Sequence, residues 1–170
     1  MKQKYLFSLI AIIGLFLSYI FWIKFSPLFR INMWKPDFNL IILFTLAQIF
    51  GRRYGLLAGA YIGFMEDFST SFFGYALLAK TIAGFVAGHY FKFNEQYNFA
   101  NFTWGLLICS LLNNFLYMGF YYYGELNLFT VLIQYMIPEA IYTVVLGLLL
   151  YFLLERQVNG LYVQRKSSRF

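Results

Sequence analysis

The run RRYGLLAGAYIGFMED, residues 52–67, sets Gly55, Gly59 and Gly63 four residues apart in an apolar stretch and closes on Glu66-Asp67. Residues at i and i+4 share one helix face, so the three glycines form a smooth stripe. In lipid, hydrophobicity does not drive helices together. Small residues instead let backbones approach until dispersion contacts hold them. The next apolar run offers a matching surface: Ala76, Lys80, Ala83 and Ala87 on one stripe, with Gly84 and Gly88 beside it. Two uses of the glycine face follow, either internal packing on that next helix or a docking face for a partner's helix.

The rest of the chain gives this stripe its setting. Of 170 residues, 61% are hydrophobic and only 12% charged, against roughly 25% charged in a soluble domain. The apolar residues fall into blocks, and about 20 of them span a hydrocarbon core as a helix. We therefore expect an all-α integral membrane protein with about six transmembrane helices. The segments are residues 5–23, 36–51, 54–65, 74–91, 102–123 and 128–154. The second and third hold only about 13 apolar residues each before a charge, so they are expected to be short spans or a partly re-entrant pair. Residues 1–156 form a single polytopic domain, and 157–170 a basic cytoplasmic tail. The first block follows Lys2 and Lys4, exceeds a usual signal-peptide core and has no small-x-small cleavage site after it, so it is expected to be retained.

Nine of the 13 basic residues fall on one side of such a six-span path (Lys2, Lys4, Arg52, Arg53, Lys92, Arg156, Arg165, Lys166 and Arg169). The excess of Lys and Arg on cytoplasmic loops then puts both termini in the cytoplasm. The net charge of +6 is thus read as topology and contact with the lipid bilayer, not as a nucleic-acid surface. Tyr121-Tyr122-Tyr123 and Trp22 fall at helix ends, where amphipathic rings favour the membrane interface.

Chemistry is sparse. One cysteine (Cys109) and one histidine (His89) exclude an intrachain disulfide and any multi-histidine metal site, and no phosphate-cradling loop or metalloprotease helix is present. No catalytic residue, metal or cofactor is expected. Two polar groups remain. Glu66-Asp67, Ser69, Thr70, Ser71 and Gly74 make a polar outer turn, with Ser69 or Ser71 placed to cap the next helix. Asp37, at the Pro36-Asp37 helix start, opposes the positive end of the macrodipole. Within the helices, Asn113, Asn114, Gln134 and Glu139 lie at similar depth, the last just after Pro138. A carboxylate there costs about 3 kcal/mol on insertion scales unless paired or protonated. Lys80 lies near the outer end of its helix, close enough to snorkel or to pair with Asp67 or Glu66. This intramembrane polar cluster either ties the last helix together around Pro138 or binds a ligand.

Lys35-Pro36-Asp37 opening an apolar helix, then Arg53-x-Gly55, Gly59-x-x-x-Gly63-x-x-x-Asp67-x-Ser69 and Gly74, resembles the rod shape-determining MreD family of bacteria. The likeness covers residues 35–88 and extends to total length and to Pro138 in the last helix. Thr70 stands where the family usually has glycine, Glu66 where it is apolar, and Ala60 where it has an aromatic. The resemblance implies a helix bundle similar to the substrate-binding subunits of energy-coupling-factor transporters. It also implies a non-enzymatic inner-membrane component of the cell-wall elongation machinery. The implied partners are MreC, RodA with its penicillin-binding partner, and MreB indirectly. Partner-binding or packing residues would be Gly55, Gly59, Gly63, Asp67, Ser69 and Gly74. The alternative is a small-solute-binding transporter subunit with Lys80, Asn113, Asn114 and Glu139 lining the pocket.

Overall fold

A computed structural model describes residues 26–31, 34–69, 73–93, 98–121 and 128–167. The first apolar segment, Thr70, Ser71 and Tyr122-Tyr123 lie outside these. The described residues are all-helical, with no strand. A 3-10 turn (Ser26–Phe29) and one bridge between Ile31 and Trp34 precede five helices. These are α1 (Phe38–Phe50), α2 (Arg52–Asp67), α3 (Tyr75–Phe93), α4 (Phe99–Tyr121) and α5. Helix α5 begins at Leu128–Val131, passes through a π turn at Leu132–Met136 and continues as Ile137–Ser167. It runs on through most of the segment read from sequence as a basic tail. Two stretches are long and apolar enough to cross a membrane, Phe99–Gly119 and Phe129–Leu153.

Local chemistry sets the helix ends. The Asp37 carboxylate accepts the Leu40 N–H at 2.9 Å and caps α1. Gly51, at φ 84°, ends it, and the Gly51 N–H bonds the Ala47 carbonyl at 2.8 Å. The Gly51 carbonyl then accepts the Gly55 N–H at 3.0 Å, so one residue in a conformation suited to glycine closes one helix and opens the next. Asn98 caps α4, its side chain accepting the Asn101 N–H at 2.8 Å. In α5, Pro138 has no N–H to give to the Gln134 carbonyl four residues back. The Trp34 indole N–H takes that carbonyl instead, at 2.8 Å, within the π turn.

The pairing of residues gives the helix directions. Gly55 faces Gly84, Gly59 faces Lys80 and Gly63 faces Ala76, so α2 and α3 are antiparallel. Asn39 meets Glu66, and Ala47 lies against Gly55, so α1 and α2 form an antiparallel hairpin. Asp37 pairs with Thr143, and Ile41 lies opposite Gly147, so α1 and α5 are parallel. Helices α1, α3 and α5 therefore run one way, and α2 and α4 the other. Helix α1 touches all four others. It buries Leu40, Leu43, Phe44 and Ala47 almost completely, and Phe44 meets Phe102 edge-to-face at 5.3 Å. One of the two segments read as short from sequence, 13 residues and about 20 Å long, is thus the central pillar. Phe115, Phe129, Leu149 and Phe152, all more than half exposed, belong to an apolar outer surface that suits lipid.

Candidate functional site

The glycine stripe faces inward. A Cβ at Gly55, Gly59 or Gly63 would collide with the backbone carbonyl of Gly84, Lys80 or Ala76, respectively. A side chain at Gly88 would sit 2.5 Å from the Arg52 Cα. Helix α3 therefore occupies the whole face, and no second helix fits there without displacing it.

That close approach helps bring five helices to one buried polar network. Lys80 leaves α3 level with Gly59. Side chains on a helix lean toward its N-terminus, so the lysine reaches toward the end where α1 begins and α2 stops. Its ammonium bonds the Asp37 carboxylate at Oδ2 and lies 3.4 Å from Glu66 Oε1. Lys80 is 2% exposed, so it does not snorkel to solvent. Each carboxylate is also held by an asparagine amide: Asn39 Nδ2 donates to Glu66 Oε1 at 2.7 Å, and Asn113 Nδ2 to Asp37 Oδ2 at 3.3 Å. Asn113 also donates to Asn114 Oδ1 at 3.4 Å, and Asn114 Nδ2 to the Met136 carbonyl within the π turn at 3.3 Å. The chain of contacts thus runs from α2 through α3, α1 and α4 to α5. With all three ionised, Asp37, Glu66 and Lys80 leave one net negative charge.

Helix α5 closes the network from its far side. Thr143 Oγ1 accepts the Asp37 N–H at 3.0 Å, and Glu139 Oε1 accepts the Lys35 N–H at 3.4 Å. Glu139 is thereby tied to the segment before α1 and not to an asparagine. Gln134 is exposed, and its backbone carbonyl accepts the Trp34 indole N–H. Of the polar residues grouped by depth, Asn113 and Asn114 are in the network, Glu139 borders it and Gln134 stays outside.

Asp67 has a separate task. Its Oδ2 accepts the N–H groups of Gly74 and Leu77 at 2.9 and 3.0 Å, and its Oδ1 that of Ala76 at 3.0 Å. The carboxylate therefore satisfies the start of α3, the capping role that sequence reasoning gave to Ser69 or Ser71. Gly74, at φ 103°, supplies the backbone turn that delivers those N–H groups. Ser69 is exposed, with its N–H on the Glu66 carbonyl at 2.9 Å. Beside it, Phe64, Phe68 and Phe73 pack edge-to-face, centroids 4.8–6.0 Å apart, with Phe68 and Phe73 exposed.

Sequence reasoning missed Asp37, Asn39 and Thr143 as network members. Asp37 was placed only against the positive end of the α1 macrodipole; it also caps α1 through Oδ1 and puts its other oxygen on Lys80. The available signal was Asn39, an amide near the start of a mostly apolar helix, placed opposite Glu66 once 36–51 and 54–65 form a hairpin.

No protein-family model matches this chain, and neither a curated protein nor a solved structure matches it.

Proposed function

We propose that this chain is a non-enzymatic scaffold or regulatory subunit of the bacterial cell-wall elongation machinery. It sits in the inner membrane as a multi-pass protein with both termini cytoplasmic. It holds an MreC-like partner and, through it, the RodA synthase pair, with MreB reached indirectly. The observation that supports this reading is the use made of the residues that resemble MreD. Gly55, Gly59 and Gly63 bring two backbones together, and Asp67 with Gly74 builds the turn between them. A motif used in this way fixes shape.

Because α3 fills the glycine face, the partner contact belongs at the outer turn, where Phe68 and Phe73 stand exposed next to the Asp67 cap. The test is co-purification of the full chain with the MreC-like protein of the same cell from mild detergent. Phe68→Ser with Phe73→Ser should abolish it while the protein still inserts and stays monodisperse. Unchanged recovery of the partner would remove the reading.

The buried network favours one alternative, a small-solute-binding transporter subunit. Solute binding by the wild-type chain that is lost in Glu139→Gln would support this second reading.

A further inference from the structure

The network is asymmetric in a way that the scaffold reading does not use. Asp37 is saturated: Oδ1 takes the Leu40 N–H, and Oδ2 takes Lys80 and Asn113. Both bonds to Glu66 fall on one oxygen, Oε1, and the ammonium there is a more distant second contact at 3.4 Å. Lys80 is shared by the two carboxylates, so with all three ionised one negative charge remains at the site. Burying such a charge costs several kcal/mol unless something of opposite sign joins it.

The neighbouring amide points the same way. Asn39 is 1% exposed and spends its Nδ2 on Glu66, while its carbonyl oxygen Oδ1 has no partner among the described residues. An unmet buried acceptor costs about 1–3 kcal/mol. The geminal geometry of the two groups, joined at 2.7 Å, keeps the amide oxygen within a few ångströms of the carboxylate. The site therefore presents excess negative charge and an unused hard oxygen together.

We propose that Glu66 and the Asn39 carbonyl oxygen bind one monovalent metal cation of sodium size at the crossing of α1 and α2. Oxygen donors of this kind suit a hard ion. A single positive charge brings Asp37, Lys80 and Glu66 to neutrality. A divalent ion would overshoot, would sit beside an ammonium, and would lack ligands: no three acidic, histidine or cysteine side chains group together among the described residues. The ion would pin α1 to α2 at the point where the hairpin opens onto α3.

The experiment uses the full chain in lipid nanodiscs, with thermal unfolding followed by intrinsic fluorescence in sodium chloride and in choline chloride at equal ionic strength. Above Kd, a ligand bound only by the folded state raises Tm by roughly 3–5 °C per tenfold concentration for a chain of this size. That rise is expected in sodium and not in choline. Glu66→Gln and Asn39→Leu should each abolish it. Asn113→Leu, on the Asp37 side, should retain it. Equal Tm in both salts would overturn the proposal, as would loss of the sodium effect in Asn113→Leu with retention in Asn39→Leu. If Glu66→Gln fails to fold, radioactive sodium binding to the wild-type chain decides: saturable binding upholds the site and none removes it. The readout is independent of the partner contact, so failure of one idea leaves the other standing.

Discussion

The α2–α3 interface and the Lys80 network lie within a few ångströms of each other and are built on opposite principles. The interface is held by absence: three glycines without side chains bring two backbones into contact. The network is held by presence: two carboxylates, an ammonium and two amides bond one another inside an apolar bundle. The two are coupled, because Lys80 contributes the carbonyl that packs over Gly59 and the ammonium that binds Asp37. A periodic small-residue pattern can therefore place a charge as accurately as it places a backbone.

This comparison can be broken by substitution. The largest effect belongs to Gly59→Leu, which drives a branched side chain into the Lys80 backbone and should dismantle interface and network together. Overpacking a close contact costs about 1–3 kcal/mol where neighbours can shift, and here the neighbour is main chain. We expect loss of the monodisperse peak on size-exclusion chromatography. A variant that remains folded with unchanged Tm would refute the packing account.

Lys80→Met comes next. Removing one partner of a buried ion network costs about 3–5 kcal/mol, a fall in Tm of roughly 10 °C or more for a chain of this size. The double variant Lys80→Met with Asp37→Asn should recover part of the loss, because it also removes the stranded charge. No recovery would mean that the lysine acts through packing alone.

Asp67→Ala sharpens the comparison, since Asp67 belongs to neither region yet anchors the helix both depend on. Losing a cap costs about 0.5–2 kcal/mol, read as a lower Tm and faster hydrogen exchange at Ala76 and Leu77. Trp34→Phe should have the smallest effect, about 1 kcal/mol, because it leaves the Gln134 carbonyl without its indole donor within the π turn. Its Tm should fall by a few degrees at most.

Much of this was legible along the chain and some was not, for identifiable reasons. The glycine period survives translation into structure because i and i+4 neighbours share a face wherever the helix goes. The outer turn was legible as a polar break, but its working atom was misassigned. Serine is a usual capping residue type, whereas Asp67 reaches across the turn and meets three N–H groups at once. Depth along a helix grouped Gln134 with Asn113, Asn114 and Glu139. Depth says nothing of azimuth, and Gln134 faces outward. Lys80 was expected to snorkel or to pair with Asp67 or Glu66. It does meet Glu66, and it also meets Asp37, 43 positions away, because the α1–α2 hairpin folds that residue back beside it.

Composition and period alone thus determined that the chain is helical and apolar, that residues 52–67 carry a smooth face, and that a few polar residues lie in costly surroundings. Those properties are local, and any helical arrangement preserves them. Only the tertiary structure decided that the shortest helix is the central one, that α3 fills the glycine face, and that Asp37, Glu66 and Lys80 share one site. Such pairings depend on which faces meet across the bundle, and that is a property of the packed whole.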